Sequence, residues 1–231
     1  MEFCMSVGRK VKDKMNAFKS EEGEAAVFEQ YHHMLEKLEV PYQELSVETP
    51  YGNTFVVAAG KTVNLPVVLL HGSGMNSAMW IKDIEELSKE YRVYAIDIPG
   101  EPGRSDERQL PLNTDDYVNW LDAAVTGLHV GSAVFVGESL GAWIAVKFAV
   151  KRAERVVRLV LFSHADDSLQ SNSQDKVPRF MQDFRKLVAG NFNARPEPMP
   201  VYSGDELKHL SMPVLLQEGH SLAGLFDDGA A

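Results

Sequence analysis

The sequence contains a single cysteine, Cys4, in 231 residues. One thiol excludes an internal disulfide framework and fits a reducing compartment. No apolar run approaches about 18 residues, so no stretch reads as a membrane-spanning helix. Met1 to Lys14 carries cations but lacks the apolar stretch of roughly 7–15 residues that a secretory signal needs. Gly8 lies too far in for myristoylation, which takes glycine at position two. Internal repeats and low-complexity tracts are absent. Positive charge is in deficit: 23 Lys and Arg against 33 Asp and Glu give a formal net charge of −10. An acidic surface repels phosphate backbones and anionic lipid, which argues against nucleic-acid and membrane partners. The expected location is cytoplasmic.

What is present is an ordinary globular mixture, 45% hydrophobic and 24% charged, long enough to bury a sizeable core. Residues 1–40 read as a helical segment. Ser20-Glu21-Glu22 is a start signal, and Ala26, Val27, Tyr31, Met34, Leu35 and Leu38 recur at helical spacing until Pro41. His32 and His33 are adjacent on this helix and point about 100° apart, so they do not share a metal. Tyr42–Thr49 and Thr54–Ala59 read as strands around a Pro-Tyr-Gly-Asn turn. Short all-apolar runs then alternate with helical patterns. The strands are Pro66–Leu70, Tyr91–Ile96, Ala133–Val136, Val156–Phe162 and Pro213–Leu216. The helices are Ser77–Glu90, Asp115–Leu128 and Leu140–Val150. This alternation predicts an α/β fold with a mostly parallel sheet covered on both faces. Residues 165–210 break the rhythm, and Phe180, Met181, Phe184 and Leu187 fall at helical spacing within them. This insertion reads as a short helical cap; 41–164 and 211–231 read as the core.

Three motifs carry chemistry. Gly137-Glu138-Ser139-Leu140-Gly141 follows a strand and opens a helix, the setting of a nucleophile elbow. Such a turn forces the serine into an unfavourable backbone conformation and pushes its hydroxyl above the sheet, while the flanking glycines remove side chains that would clash. His71-Gly72-Ser73-Gly74 follows the strand Pro66–Leu70. A turn here can aim a backbone N–H at the space over Ser139, and with the N–H of Leu140 that makes two donors for an oxyanion. His71 itself reads as a structural hydrogen-bonder. Asp97-Ile-Pro-Gly-Glu-Pro-Gly-Arg-Ser-Asp106 follows the strand Tyr91–Ile96 and reads as a shaped turn, with Asp97 bonding loop amides.

In this order, the HG-x-G turn, the D-x-P-G loop and the G-x-S-x-G elbow resemble the α/β-hydrolase fold family over roughly residues 42–220. The loop is one residue longer than the family's commoner pattern. The resemblance implies a Ser–acid–His triad in that chain order, Ser139 as nucleophile, oxyanion donors at Ser73 and Leu140, and no metal or cofactor. A serine rather than an aspartate at 139 favours ester, thioester, lactone or C–C hydrolysis over dehalogenation.

The resemblance also calls for a histidine on a loop after one further strand and helix, yet only fifteen residues follow Leu216. Two readings stay open. In one, the sequence is truncated, Gln217–Ala231 is the acid loop, and Glu218, Asp227 and Asp228 are candidates by position. In the other, the ending is compressed, His220 is the base, and the acid is Asp166 or Asp167. His164, or no base at all, is the remainder. His209 reads as surface. The expected function is accordingly a serine hydrolase of a small, largely apolar ester or related acyl compound. The apolar cap residues Phe180, Met181, Phe184, Phe192 and Met199 suggest the apolar group. The alternative is a non-catalytic, ligand-binding protein without a complete triad. The only expected partner is a small-molecule substrate; oligomeric state stays open.

Overall fold

A computed structural model describes residues 17–163, 179–196 and 198–218. β1 (Tyr42–Thr49) and β2 (Gly52–Ala59) form an antiparallel hairpin. β3 (Pro66–Leu70), β4 (Arg92–Ile96), β5 (Ala133–Glu138), β6 (Val156–Ser163) and β7 (Val214–Glu218) run parallel to one another. The sheet order is β1-β2-β4-β3-β5-β6-β7, with β2 antiparallel to β4.

The period-2 geometry of the strands sorts their apolar residues between two faces. Val57, Val67, Leu69, Ala95, Val136 and Val160 lie on one face. There they pack with α1 (Glu21–Leu35), α2 (Ile81–Leu87) and α5 (Arg179–Asn191). Val56, Val68, Leu70, Ile96, Phe135 and Leu161 lie on the other face, beneath α3 (Asp116–Gly127) and α4 (Leu140–Lys151). Continuous apolar runs were the sequence sign of this arrangement, because a strand covered on both faces has no polar side.

The first helix docks on the domain itself. Ser20 caps α1 by accepting from the Gly23 N–H, and Val27, Tyr31, Met34 and Leu35 are buried in the sheet's first core. The helix stops at Leu35, short of Pro41, yet Leu38 remains buried in the turn beyond it. α5 crosses α1 closely: a Cβ on Gly23 would sit 2.7 Å from the Asn191 side chain.

Several boundaries differ from the sequence reading. The helix expected over Ser77–Glu90 is a 3₁₀ turn, Ser77–Trp80, followed by α2, which ends at Leu87. Asn76 caps the 3₁₀ turn and both Ser77 N–H and Ser77 Oγ are drawn onto Asp97, which holds the entry in the tighter winding. β5 and β7 each run two residues further than the apolar runs indicate, to Glu138 and Glu218, because ladder pairing with β6 continues past the last apolar residue. A one-turn helix, α6 (Gly204–Leu207), carries a Ser203–Glu206 capping box, and His209 lies exposed just beyond its end. Among the described residues β7 is the last strand on its side of the sheet, and its Leu216 is 75% exposed.

Candidate active site

The sheet order reverses at β3: the chain steps from β3 to β4 on one side, then returns to β5 on the other. In open α/β sheets the crevice outside the carboxyl ends of the strands at such a reversal is where ligands bind. The turn after β3 and the turn after β5 both open there, and they hold His71–Gly74 and Ser139 respectively.

Ser139 has φ 48° and ψ −110°, a backbone state that a residue with a side chain adopts only when its surroundings impose it. The flanking glycines are what permit it. A Cβ on Gly141 would lie 2.1 Å from the Leu70 carbonyl oxygen, and one on Gly137 would lie 2.5 Å from the Ala142 nitrogen. The Ser139 N–H donates to the Phe162 carbonyl, and the Gly141 N–H donates to the His71 carbonyl, which ties the elbow to β6 and to the neighbouring turn. α4 begins immediately after, so its amino-terminal dipole and the N–H of Leu140 lie beside the serine.

The second turn sits against the first. A Cβ on Gly72 would be 3.6 Å from the Ser139 Cβ. The Met75 N–H closes the turn onto the Gly72 carbonyl, with Gly74 at φ +71°. His71 is fully buried, and its Nε2 accepts from the Ile98 N–H at 2.9 Å. Nδ1 therefore carries the proton and donates to the Gly72 carbonyl at 2.9 Å. Burial holds its pKa below the usual histidine value, so the imidazole is neutral and both nitrogens are committed. His71 is structural, as its place at a strand end suggests. Asp97 bonds loop amides as expected: it accepts from Ser77 N–H, Ser77 Oγ and Arg104 N–H, and also from the Tyr31 hydroxyl of α1.

Sequence reasoning missed a second carboxylate. Glu101, in the D-x-P-G loop, is 3% exposed. It accepts from the Gly74 N–H at 2.7 Å and from Ser73 Oγ at 3.3 Å. The Arg195 guanidinium, also buried, stands 3.7 Å from Oε1. Arg195 in turn donates to the Leu110 carbonyl and to the Tyr117 hydroxyl. Burial pushes the Glu101 pKa up to about 7, against the opposing pull of the Gly74 N–H and Arg195. The signal available in the sequence was a lone acidic residue framed by Gly and Pro in a loop one residue too long; its partner, nearly a hundred positions on, left none.

An open cavity of about 530 Å³ adjoins the Ser73–Met75 turn and is lined also by Val188, Phe192, Lys19 and Arg185. Of the apolar residues expected to line a cap, Phe184 is buried and Phe180 and Met181 pack against the first core. Phe192 both faces the cavity and stacks edge-on with Phe18. Met199 is exposed.

Of the expected acid and base residues, His220, Asp166, Asp167 and Asp227 lie outside the described residues, as do His164 and Asp228. The Glu218 backbone is the last residue of β7, paired with Ser163, at the same end of the sheet as Ser139. Among the described residues no imidazole is hydrogen-bonded to Ser139.

Residues 67–230 match the model of the alpha/beta hydrolase family. The chain is 31% identical over 163 residues to an uncharacterized carboxylesterase, nap, of Bacillus subtilis (strain 168), covering 71% of this chain and 51% of that protein. It is 30% identical over 156 residues to carboxylesterase YbfK of the same organism, covering 68% and 52%. The chain thus spans about half the length of the curated relatives it matches. Among solved structures, carboxylesterase CesB (YbfK) from Bacillus subtilis superposes with a TM-score of 0.74 at 24% identity, covering 84% of this chain and 80% of that one. Naproxen esterase from Bacillus subtilis superposes with a TM-score of 0.69 at 25% identity, covering 86% and 81%. With the strand order, the strained elbow and the family match in agreement, the chain belongs to the alpha/beta hydrolase family.

Proposed function

We propose that this chain is a serine hydrolase acting on a small, largely apolar ester or related acyl compound. The observation that carries this reading is the backbone of Ser139, held at φ 48° by two glycines at the carboxyl end of the sheet. A strained turn of this kind has no packing benefit that an unstrained one would lack, whereas it lifts a hydroxyl clear of the sheet. Two relatives described as carboxylesterases support an ester as the bond attacked.

In the proposed reaction Ser139 Oγ adds to the ester carbonyl carbon while its proton passes to the base. The carbonyl oxygen becomes an oxyanion between the N–H groups of Ser73 and Leu140. Collapse of this intermediate breaks the bond to the alcohol, which leaves with the proton from the base. Water then cleaves the acyl-serine by the same route, releasing the acid and restoring Ser139. His220 is the proposed base, with Asp166, Asp167, Glu218 or Asp227 as its acid. Without a base a serine hydroxyl is a poor nucleophile at neutral pH, and loss of a triad member costs roughly 10⁴–10⁶ in rate.

Hydrolysis of p-nitrophenyl butyrate by the full chain and by Ser139→Ala tests the proposal. The wild type should release p-nitrophenol and the variant should fall by at least about 10⁴-fold. Turnover that survives Ser139→Ala rejects the assignment. Binding of the ester without turnover by a folded wild type would favour the non-catalytic reading instead.

A further inference from the structure

The Ser73–Gly74 turn is held from below by Glu101. It follows β3 and is closed by the Met75 N–H on the Gly72 carbonyl, with Ser73 exposed at its tip. One oxygen of Glu101, Oε2, accepts from both the Gly74 N–H at 2.7 Å and the Ser73 hydroxyl at 3.3 Å. Its other oxygen faces Arg195 at 3.7 Å and makes no hydrogen bond among the described residues. Arg195 follows α5 and is fastened independently, by its bonds to the Leu110 carbonyl and the Tyr117 hydroxyl and by lying over the Tyr117 ring. Two buried charges therefore connect the turn beside Ser139 to the segment that walls the cavity. A buried ion pair is seldom kept for stability, because desolvation offsets most of the attraction. Its placement under a turn that must point one N–H at a reacting oxygen gives it a different use.

We propose that Glu101 is a positioning residue that fixes the Ser73–Gly74 turn, and with it the Ser73 N–H, through a buried pairing with Arg195. This rests on the reading of Ser73 as an oxyanion donor. Removing the anchor should act on the transition state, where the oxyanion exists, and leave ester binding unaltered. The charged and titratable groups that face Glu101 are Arg195, from beyond α5, and Tyr117, from α3. Tyr117 is pushed up to about 12 and stays neutral, so Glu101 itself is the group that titrates near neutrality.

The test uses the full chain with Glu101→Ala, Glu101→Gln and Arg195→Met. Glutamine keeps an acceptor of the same reach, so it separates anchoring from folding. With p-nitrophenyl butyrate, Glu101→Ala should lower kcat by about 10–100-fold at unchanged KM, less than the roughly 10²–10³-fold of deleting an oxyanion donor outright, because the Ser73 N–H is loosened and not removed. Glu101→Gln should restore most of that rate, and Arg195→Met should fall between the two. In parallel, the Gly74 amide is followed by ¹H–¹⁵N NMR from pH 5 to 9. In the wild type it should titrate near pH 7, in Glu101→Gln it should be flat, and in Glu101→Ala it should move upfield and exchange faster. An active wild type whose kcat is unmoved by Glu101→Ala overturns the proposal. So does a Gly74 amide that ignores Glu101. An inactive wild type defeats the hydrolase reading alone, because the amide measurement still decides whether Glu101 anchors the turn.

Discussion

At the scale of single residues, the elbow works by exclusion. Gly137 and Gly141 matter for the atoms they lack, since a methyl at 141 would press on a backbone oxygen that cannot swing aside. Gly141→Ala should destabilise the fold by about 3 kcal/mol, or roughly 6–12 °C in Tm, measurable by circular dichroism melting. A wild-type Tm would show that the turn relaxes and that Ser139 is not held under strain. These glycines and Ser139 were legible in the sequence, because a five-residue motif between a strand and a helix encodes its own geometry. Glu101 and Arg195 were not, because their pairing depends on a loop and a post-helical segment that meet only once the chain has folded. The role of His71 was readable for a related reason: at the end of a buried strand its nearest partners are backbone groups, and Ile98 and Gly72 take both ring nitrogens.

At the scale of elements, the apolar runs located the five parallel strands described, and errors fell at helix and strand ends, where capping and ladder pairing rather than hydropathy decide. The 3₁₀ turn Ser77–Trp80 is the instructive case. Its pattern is helical, yet Asp97 captures Ser77 from a different strand's loop. The same carboxylate anchors α1, whose Tyr31 hydroxyl donates to Asp97 Oδ1 at 3.0 Å from a fully buried site. Burial and the Asp97 charge hold that phenol well above its ordinary pKa, so it stays a donor throughout the usual range. The docking of α1 had no sequence signature beyond an apolar stripe, which fits a core and a partner surface equally well. Tyr31→Phe should cost about 2 kcal/mol, or roughly 4–8 °C in Tm, since a hydrogen bond to a charged acceptor is lost within the core. An unchanged Tm would mean that α1 is held by its apolar face alone.

At the scale of the whole molecule, two buried groups tilt stability with pH in opposite directions. The folded-state pKa of Glu101 is raised from 4.5 to about 7, so its contribution is complete below about 4.5 and is lost as pH rises through about 7. His71 has its pKa depressed below 6.5, so its contribution is present above that value and is lost as pH falls. Glu101→Gln removes the first dependence and keeps the second. Urea midpoints measured between pH 5 and 8 should therefore rise more steeply with pH in the variant than in the wild type; parallel profiles would mean that Glu101 ionises normally. The architecture as a whole was legible because a parallel sheet covered on both faces imposes continuous apolar strands. The cavity was not, since its walls join a β-turn to α5 across more than a hundred residues. Intact-mass detection of a fluorophosphonate adduct tests the proposed role of Ser139 as nucleophile. One adduct per chain is expected on the wild type and none on Ser139→Ala. A folded wild type that stays unlabelled, or a variant that labels equally, would contradict it.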